Sequence, residues 1–318
     1  MTFVDPSAAT RETGELSPPA SSHLVRRLAR RPVAVVALII IVTVYTVGIL
    51  APLIAPHSFS DADLRNRYAS PSWDHPLGTD ELGHDVFSRV IWSSQTTVIV
   101  SFATIVTGSL LLGVTLGLVS GYLGGFVDSL IMRTADLVQA VPTILLLVIF
   151  NATMKVRIED LFRDVEDFTG IGGLVDKGVP QYFLLSFAFS IFGWIGLARL
   201  IRSQVLSLRQ SAYVLAARAA GASLLRIVFR HLLPNVGNLL LVSITISLGS
   251  VAAAEVGLTY LGLGVTKQSF GVMIADYAGA TRSHPQLVIY PGVVVASLIL
   301  SFNLLGDQLT DVLSPRRR

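Results

Sequence analysis

Residues 202–236 read RSQVLSLRQSAYVLAARAAGASLLRIVFRHLLPNV. The stretch contains Arg202, Arg209, Arg218, Arg226 and Arg230 but no acidic residue, and Arg199 precedes it closely. Small and apolar positions recur at helical spacing: Tyr213, Ala216, Ala217 and Ala220, then Leu224, Val228 and Leu232. Gly221 interrupts the run. Pro234 is expected to end it, because proline lacks the backbone N–H and its ring clashes with the preceding turn. The spacing predicts two short amphipathic helices hinged at Gly221. Four alanines leave the backbone open to close approach by another surface. Gly221 reaches a left-handed conformation that costs other residues about 1–2 kcal/mol. Two readings fit this basic elbow: a knob entering a groove of a partner protein, or a helix pair lying on anionic lipid.

On both sides of the elbow the chain is too apolar for a soluble fold. Of 318 residues 52% are hydrophobic and 14% charged, against roughly 25% charged in a soluble domain. That balance excludes a soluble enzyme, a disordered chain and a nucleic-acid-binding domain. The absence of cysteine excludes disulfide frameworks, cysteine zinc sites and iron–sulfur sites. Stretches without Asp, Glu, Lys or Arg run over 32–60, 90–127, 137–154, 178–198, 232–254 and 283–306. A crossing needs about 20 residues, so the sequence predicts an all-α integral membrane protein with six transmembrane helices. They are placed near 33–55, 95–120, 129–151, 181–202, 236–258 and 286–307. Gly121, Gly124 and Gly125 mark a tight turn between the second and third. Arg133 and Asp136 are expected to neutralise each other on the third.

With the N-terminus inside, fourteen basic residues fall in cytoplasmic segments and nine in external ones, which also carry thirteen acidic groups. The positive-inside rule therefore places both termini in the cytoplasm. Residues 1–23 read as a disordered cytoplasmic tail, 24–94 as the first helix with an external segment, 95–307 as the membrane core, and 308–318 as a second tail. The elbow occupies 203–235.

Outside the membrane, Gly78-Thr79-Asp80 predicts an Asx turn or a cap opening a helix over 81–92. In 151–180, Val156, Leu161, Val165 and Phe168 predict an amphipathic helix on the outer surface. Glu255 is the one acid inside an apolar stretch and falls near the outer mouth. It is a polar site at the pore or a hydrated helix end. His57, His75, His84 and His284 lack ligand spacing, so no metal site is expected, and no cofactor. There is no Gly-Lys dipeptide and hence no Walker A loop, no His-Glu-x-x-His helix and no Gly-x-Ser-x-Gly elbow. No catalytic residue is expected, and energy for any transport must come from elsewhere.

The spacing Ala216-Ala217-x3-Gly221-x11-Leu233-Pro234 resembles the EAA loop of bacterial ABC importer permeases, with Leu215 at the position of the motif's Glu. HPLGTDELGHDVFSRVIW (75–92), GWIGLARLIRSQVLSL (193–208), AEVGLTYLGLGV (254–265) and FNLLGDQLTDVLSPR (302–316) look like the C-type permease of dipeptide, oligopeptide and nickel importers. His84 stands where that family usually has Arg. The resemblance covers most of 24–316 and implies a type I importer permease fold in a bacterial cytoplasmic membrane. It also implies a second homologous permease, two cytoplasmic ATPase subunits, an external solute-binding protein and a peptide cargo. The ATPase-coupling residues would be Tyr213, Ala216, Ala217, Arg218, Gly221, Ala222, Leu233 and Pro234. Alternatives are import of nickel or another small solute, an ATP-independent secondary carrier, and a membrane scaffold that recruits proteins through its Arg-rich loop.

Overall fold

The structure, a computed structural model, describes residues 26–264 and 268–313. The expected tail 1–23 and the basic cluster Arg316–Arg318 lie outside the described residues. The principal helices among the described residues are α1 Pro32–Ile49, α2 Val86–Leu123, α3 Gly125–Gln139, α4 Thr143–Thr169, α5 Val179–Leu208, α6 Ala212–Ala219, α7 Leu224–Tyr260, α8 Phe270–Tyr277 and α9 Gln286–Leu313. No β-strand occurs among the described residues, only an isolated bridge between Thr79 and Asp85.

Five helices, α1, α2, α5, α7 and α9, are long and apolar enough to cross a membrane. The expected sixth is broken. Instead of one helix over 129–151, α3 and α4 meet at a bend of 84°. The cause is Val141-Pro142: the proline ring disfavours helical geometry in the residue before it, and Pro142 itself is extended at φ −53°, ψ 123°. The amphipathic helix expected within 151–180 exists, but it is continuous with the apolar turns before it, forming the 27-residue α4. Val156, Leu161, Val165 and Phe168 are all exposed on it. The turn after α2 forms as expected, with Gly124 at φ +67°.

Side-chain contacts fix how the helices run. At the start of α1, Arg31 Nη1 donates to Gln308 Oε1 (2.8 Å) and Asp311 Oδ2 (2.9 Å) near the end of α9. Both described ends of the chain therefore lie at one end of the bundle. Arg209 Nη1, just past α5, donates to the carbonyl of Gly121 at 3.1 Å, while Thr96 and Tyr182 share a hydroxyl hydrogen bond of 3.1 Å at the opposite ends of the same two helices. α2 and α5 are thus antiparallel. The expected Arg133–Asp136 pair is replaced: Arg199 Nη2 on α5 reaches Asp136 Oδ1 at 2.5 Å, and its Nη1 reaches Gln139 Oε1 at 2.6 Å. A guanidinium from the neighbouring helix meets both acceptors with two donors, which one residue on α3 itself would not do as well.

The α2–α5 contact is built on glycine. Cβ atoms at Gly108, Gly117 and Gly121 would stand 2.7 Å from Ser190 Cα, Ala198 O and Val205 Cβ respectively, closer than carbon side chains ever sit. Gly113 likewise faces Leu197 and the Trp194 carbonyl. Small residues allow this approach, and between apolar helices in lipid such packing replaces the missing hydrophobic drive. The spacing is five residues, then four, then four. The five-residue step falls within Ile105–Val114, which is wound as a π-helix. Its wider turn keeps Gly108 and Gly113 on one face.

Gly117→Val should lower the thermal stability of the detergent-solubilised protein, by more than the roughly 1–3 kcal/mol usual for overpacking, because backbone blocks the new side chain. Gly237→Ala, which meets open space, should leave the melting temperature unchanged or raise it.

Candidate functional site

Two regions at opposite ends of the bundle gather the polar and small residues singled out in the sequence. The first is the elbow. Ser211 precedes α6 in extended geometry and the helix runs Ala212–Ala219. It closes with the Ala222 N–H bonded to the Ala217 carbonyl (3.0 Å) and the Gly221 N–H bonded to the Arg218 carbonyl (3.0 Å). With Gly221 at φ +76°, this is a Schellman corner. Ser223 then caps the next helix through the N–H of Arg226.

The second arm of the elbow differs from expectation. Pro234 does not end a short helix; α7 runs unbroken from Leu224 to Tyr260, 37 residues. Val228–Leu232 forms a π-turn in which the Leu233 N–H bonds the Val228 carbonyl, five residues back. That widening accommodates the proline, which has no N–H to give and needs room for its ring. Leu233 is half-buried and Pro234 exposed in this turn. The elbow is therefore one short helix, a fixed corner and the start of a long rod.

α6 is held by few contacts. Val214 is fully buried among Val205, Ile227, Leu232 and Val236. Tyr213 lies beside the His231 ring at 6.1 Å, and the Arg218 guanidinium sits 5.2 Å over the Tyr122 ring. Tyr213, Ala216, Arg218 and Gly221 are exposed, and Ala217 and Ala222 half-buried. Three of the six arginines are engaged by partners, and Arg218 is exposed. Arg202 forms a two-pronged pair with Asp128, its Nη2 2.6 Å from Oδ2. Arg199 holds Asp136, and Arg209 caps the end of α2. These three clamp the root of the elbow to α2 and α3. Arg226 and Arg230 remain exposed. The outward face is mainly small and apolar: Leu215, Ala216, Ala219, Ala220 and Gly221.

The second region lies at the other end. Glu255 is not a hydrated helix end; it is wholly buried. Ser269 Oγ donates to its Oε1 at 2.7 Å, Thr97 Oγ1 to its Oε2 at 3.1 Å, and Thr259 Oγ1 lies 3.4 Å from Oε1. Ser269 in turn caps α8 by accepting the Gly271 N–H. The carboxyl thus ties α7 to α2 and to the start of α8.

Beside it the segment before α2 is clasped onto α8. Asp80 forms the expected Asx turn, its Oδ1 accepting the N–H groups of Leu82 and His84 at 2.9 Å each. The helix, however, starts at Val86 rather than 81, and Asp85 is its cap. Asp80 Oδ2 receives Arg89 Nη1 at 2.8 Å, and Arg89 Nη2 reaches Asp276 Oδ2 at 2.7 Å. His84 Nδ1 lies 2.9 Å from Asp80 Oδ2. Arg89 is also sandwiched by the Phe59 and Tyr277 rings at 4.5 and 5.3 Å. Burial alone would raise the Asp80 carboxyl. The hydrogen bonds from His84 and the Arg89 charge outweigh that and hold it below the ordinary carboxylate value. Asp80 and Asp276 are too far apart in the chain for spacing to connect them. The histidines are not all scattered either, since His57 and His75 come together beside Asp85.

Between the two regions a cavity of about 270 Å³ opens among α2, α4, α5 and α7. Thr104, Ser109, Ser247 and Ser250 supply its hydroxyls, and Leu147, Phe189 and Phe192 its apolar wall.

Residues 113–318 match the family model described as the binding-protein-dependent transport system inner membrane component, and 22–71 match the N-terminal TM domain of oligopeptide transport permease C. The oligopeptide transport system permease protein OppC of Bacillus subtilis (strain 168) is 34% identical over 294 residues, covering 92% of this chain and 88% of that protein. The dipeptide transport system permease protein DppC of Alkalihalophilus pseudofirmus is 33% identical over 295 residues, covering 92% and 89%. DppC of Bacillus subtilis (strain 168) is 31% identical over 322 residues, covering 99% and 93%.

Removing the Arg89 guanidinium with Arg89→Ala leaves a buried carboxylate short of its partner, and should lower unfolding free energy by about 3–5 kcal/mol. The Asp80 carboxyl has a depressed value, so its stabilisation is complete above the ordinary carboxylate value of about 3.9 and is lost as pH falls through the depressed one. In thermal unfolding, the deficit of Asp80→Asn should shrink as pH falls below about 4. A deficit that grows as pH falls below about 4 would contradict the charge assignment.

Proposed function

The chain belongs to the binding-protein-dependent transport system inner membrane component family, a multi-pass membrane permease, and from that premise we propose that it is the transmembrane subunit of an ATP-driven importer of dipeptides or oligopeptides. The peptide cargo is the reading favoured by relatives named as oligopeptide and dipeptide permeases, across nearly their whole length. The chain would work with a second homologous permease, two ATPase subunits and an external solute-binding protein. Both termini and the α6 elbow would lie in the cytoplasm. The excess of basic residues assigned to that side supports this orientation, and the meeting of Arg31 and Asp311 fits both ends lying on one side.

The observation that carries the coupling role is the form of α6: an exposed helix of small residues, locked at a Schellman corner, with its root clamped by arginines. Ala216, Ala217, Arg218, Gly221 and Ala222 would seat in a cleft of an ATPase subunit, with Tyr213 at the entrance. Leu233 and Pro234 would mark where the push passes into α7. When the ATPases close on ATP, α6 is displaced as a unit. The Arg202–Asp128 and Arg209–Gly121 contacts carry that displacement to α2 and α3, and the corner carries it to α7. Work is transmitted only if the ATP-bound partners favour one packing of these helices over another. Substrate would cross beside the hydroxyl-bearing faces of α2 and α7, where Ser247 and Ser250 offer hydrogen bonds suited to a peptide backbone. A secondary carrier would need ionisable groups at the midplane to bind a coupling ion. The five continuous spans carry few charges, and the break between α3 and α4 has none over residues 137–154.

Ala216→Trp should leave folding unchanged, since the side chain points to open solvent. In proteoliposomes holding the complete complex, it should cut ATP-dependent peptide uptake at least tenfold and reduce ATPase co-purification. Undiminished uptake by this variant would remove α6 from the coupling path, and uptake that needs no ATPase subunit would overturn the importer reading.

A further inference from the structure

At the end of the bundle away from α6, three chain segments bring metal-binding atoms together. His57 follows α1, His75 belongs to the segment before α2, and Asp85 is the cap of α2. One ligand atom from each lies within 4.8 Å of the other two. The two imidazoles are 5.2 Å apart between centroids and tilted by 32°. We propose that His57, His75 and Asp85 form a binding site for a divalent first-row transition metal, with zinc the best fit and water as the remaining ligand.

Each donor is held in place by contacts that metal binding would leave intact. The backbone of His57 is fixed at both ends: its N–H donates to Ser88 Oγ at 3.1 Å, and its carbonyl accepts Trp92 Nε1 at 3.0 Å. His75 is fixed by its carbonyl, which accepts the N–H groups of Ser72 and Gly78 at 2.9 and 2.8 Å. Asp85 is buried, and its Oδ2 is taken by Ser88 N–H (2.8 Å) and Ser88 Oγ (2.6 Å). Its Oδ1 is thereby aimed at His75 Nδ1, 3.2 Å away. Donors bound at about 2.0–2.1 Å in a tetrahedron stand about 3.3–3.4 Å apart, so this pair already has the spacing of one tetrahedral edge. An ordinary hydrogen bond explains His75 and Asp85, but it leaves the His57 ring with no hydrogen-bonding role among the described residues. Two imidazoles and one carboxylate, the carboxylate braced by second hydrogen bonds, are a donor set suited to zinc, nickel or copper rather than magnesium or calcium. The half-exposed imidazoles give a metal access from solvent. The neighbouring Asp80–Arg89–Asp276 clasp uses none of these atoms, so metal binding would displace only the His75–Asp85 hydrogen bond. It goes beyond the transport reading and does not depend on the cargo.

The test uses the full-length protein in nanodiscs, stripped with chelator and titrated with ZnCl2 against a chromogenic chelator. A parallel titration with CoCl2 reads the intense visible bands of low-symmetry cobalt. The expected result is one saturable equivalent per chain, weakened at least tenfold by His57→Phe, with MgCl2 unable to compete. His57→Phe keeps both backbone bonds and the Asp85 cap, so its metal-free melting temperature should match that of the parent chain. If it does not, His57→Gln serves in its place. No saturable zinc binding, or binding unchanged in both His57 variants, would overturn the proposal.

Discussion

Lipid tails are as apolar as leucine, so two transmembrane helices gain little from hiding side chains against each other and must find contact energy through close approach. In this chain that requirement falls on the pair α2 and α5, where Gly108, Gly113, Gly117 and Gly121 let one backbone lie against the other. The rest of the molecule is arranged about that contact. The arginines at the end of α5 reach α3 and the end of α2 only because the two helices touch along their length. Val214 is buried against Val205, near the same end, together with Ile227, Leu232 and Val236 of α7. At the far end, Thr96 comes within reach of Tyr182 for the same reason.

Charge in this protein serves two purposes. Arg199, Arg202 and Arg209 are structural clamps, and the outward face of the elbow is small and mostly uncharged. At the other end Arg89 is enclosed by two rings and two carboxylates, holding the segment before α2 against α8. A buried pair of this kind contributes less to stability than its geometry suggests, because desolvation offsets much of the attraction. What it supplies is register: α8 is positioned relative to α2 by a contact that tolerates little displacement.

Much of the architecture was legible because charge is excluded from hydrocarbon so strongly that gaps in charge mark the crossings. α1, α2, α5, α7 and α9 were found that way. Their ends were not, because helices continue past the membrane wherever capping and packing allow: α2 starts at its Asp85 cap and α7 begins before Pro234. The break at Pro142 did leave a signal, a Val-Pro step within an apolar run, but the run was read by composition rather than by backbone constraint. The elbow corner at Gly221 was legible from the glycine and its alanines. The Asp80–Arg89–Asp276 clasp, the Arg199–Asp136 pair and the meeting of His57 with His75 join residues distant in the chain, which one sequence cannot pair.

The bend between α3 and α4 has a further consequence. α3 begins at the elbow end of the bundle, and fifteen residues of helix rise about 22 Å, too short to cross a hydrocarbon layer about 30 Å thick. There Ala140, Val141 and Pro142 are exposed on the surface of the single chain. Interrupted helix leaves amide and carbonyl groups unsatisfied, and a bilayer has no water to satisfy them unless protein or a wet channel lies alongside. A solitary copy thus presents a raw edge wherever lipid meets that kink. The break is in effect a built-in demand for company: the chain is finished, electrostatically, only when something other than acyl chains lies against that kink.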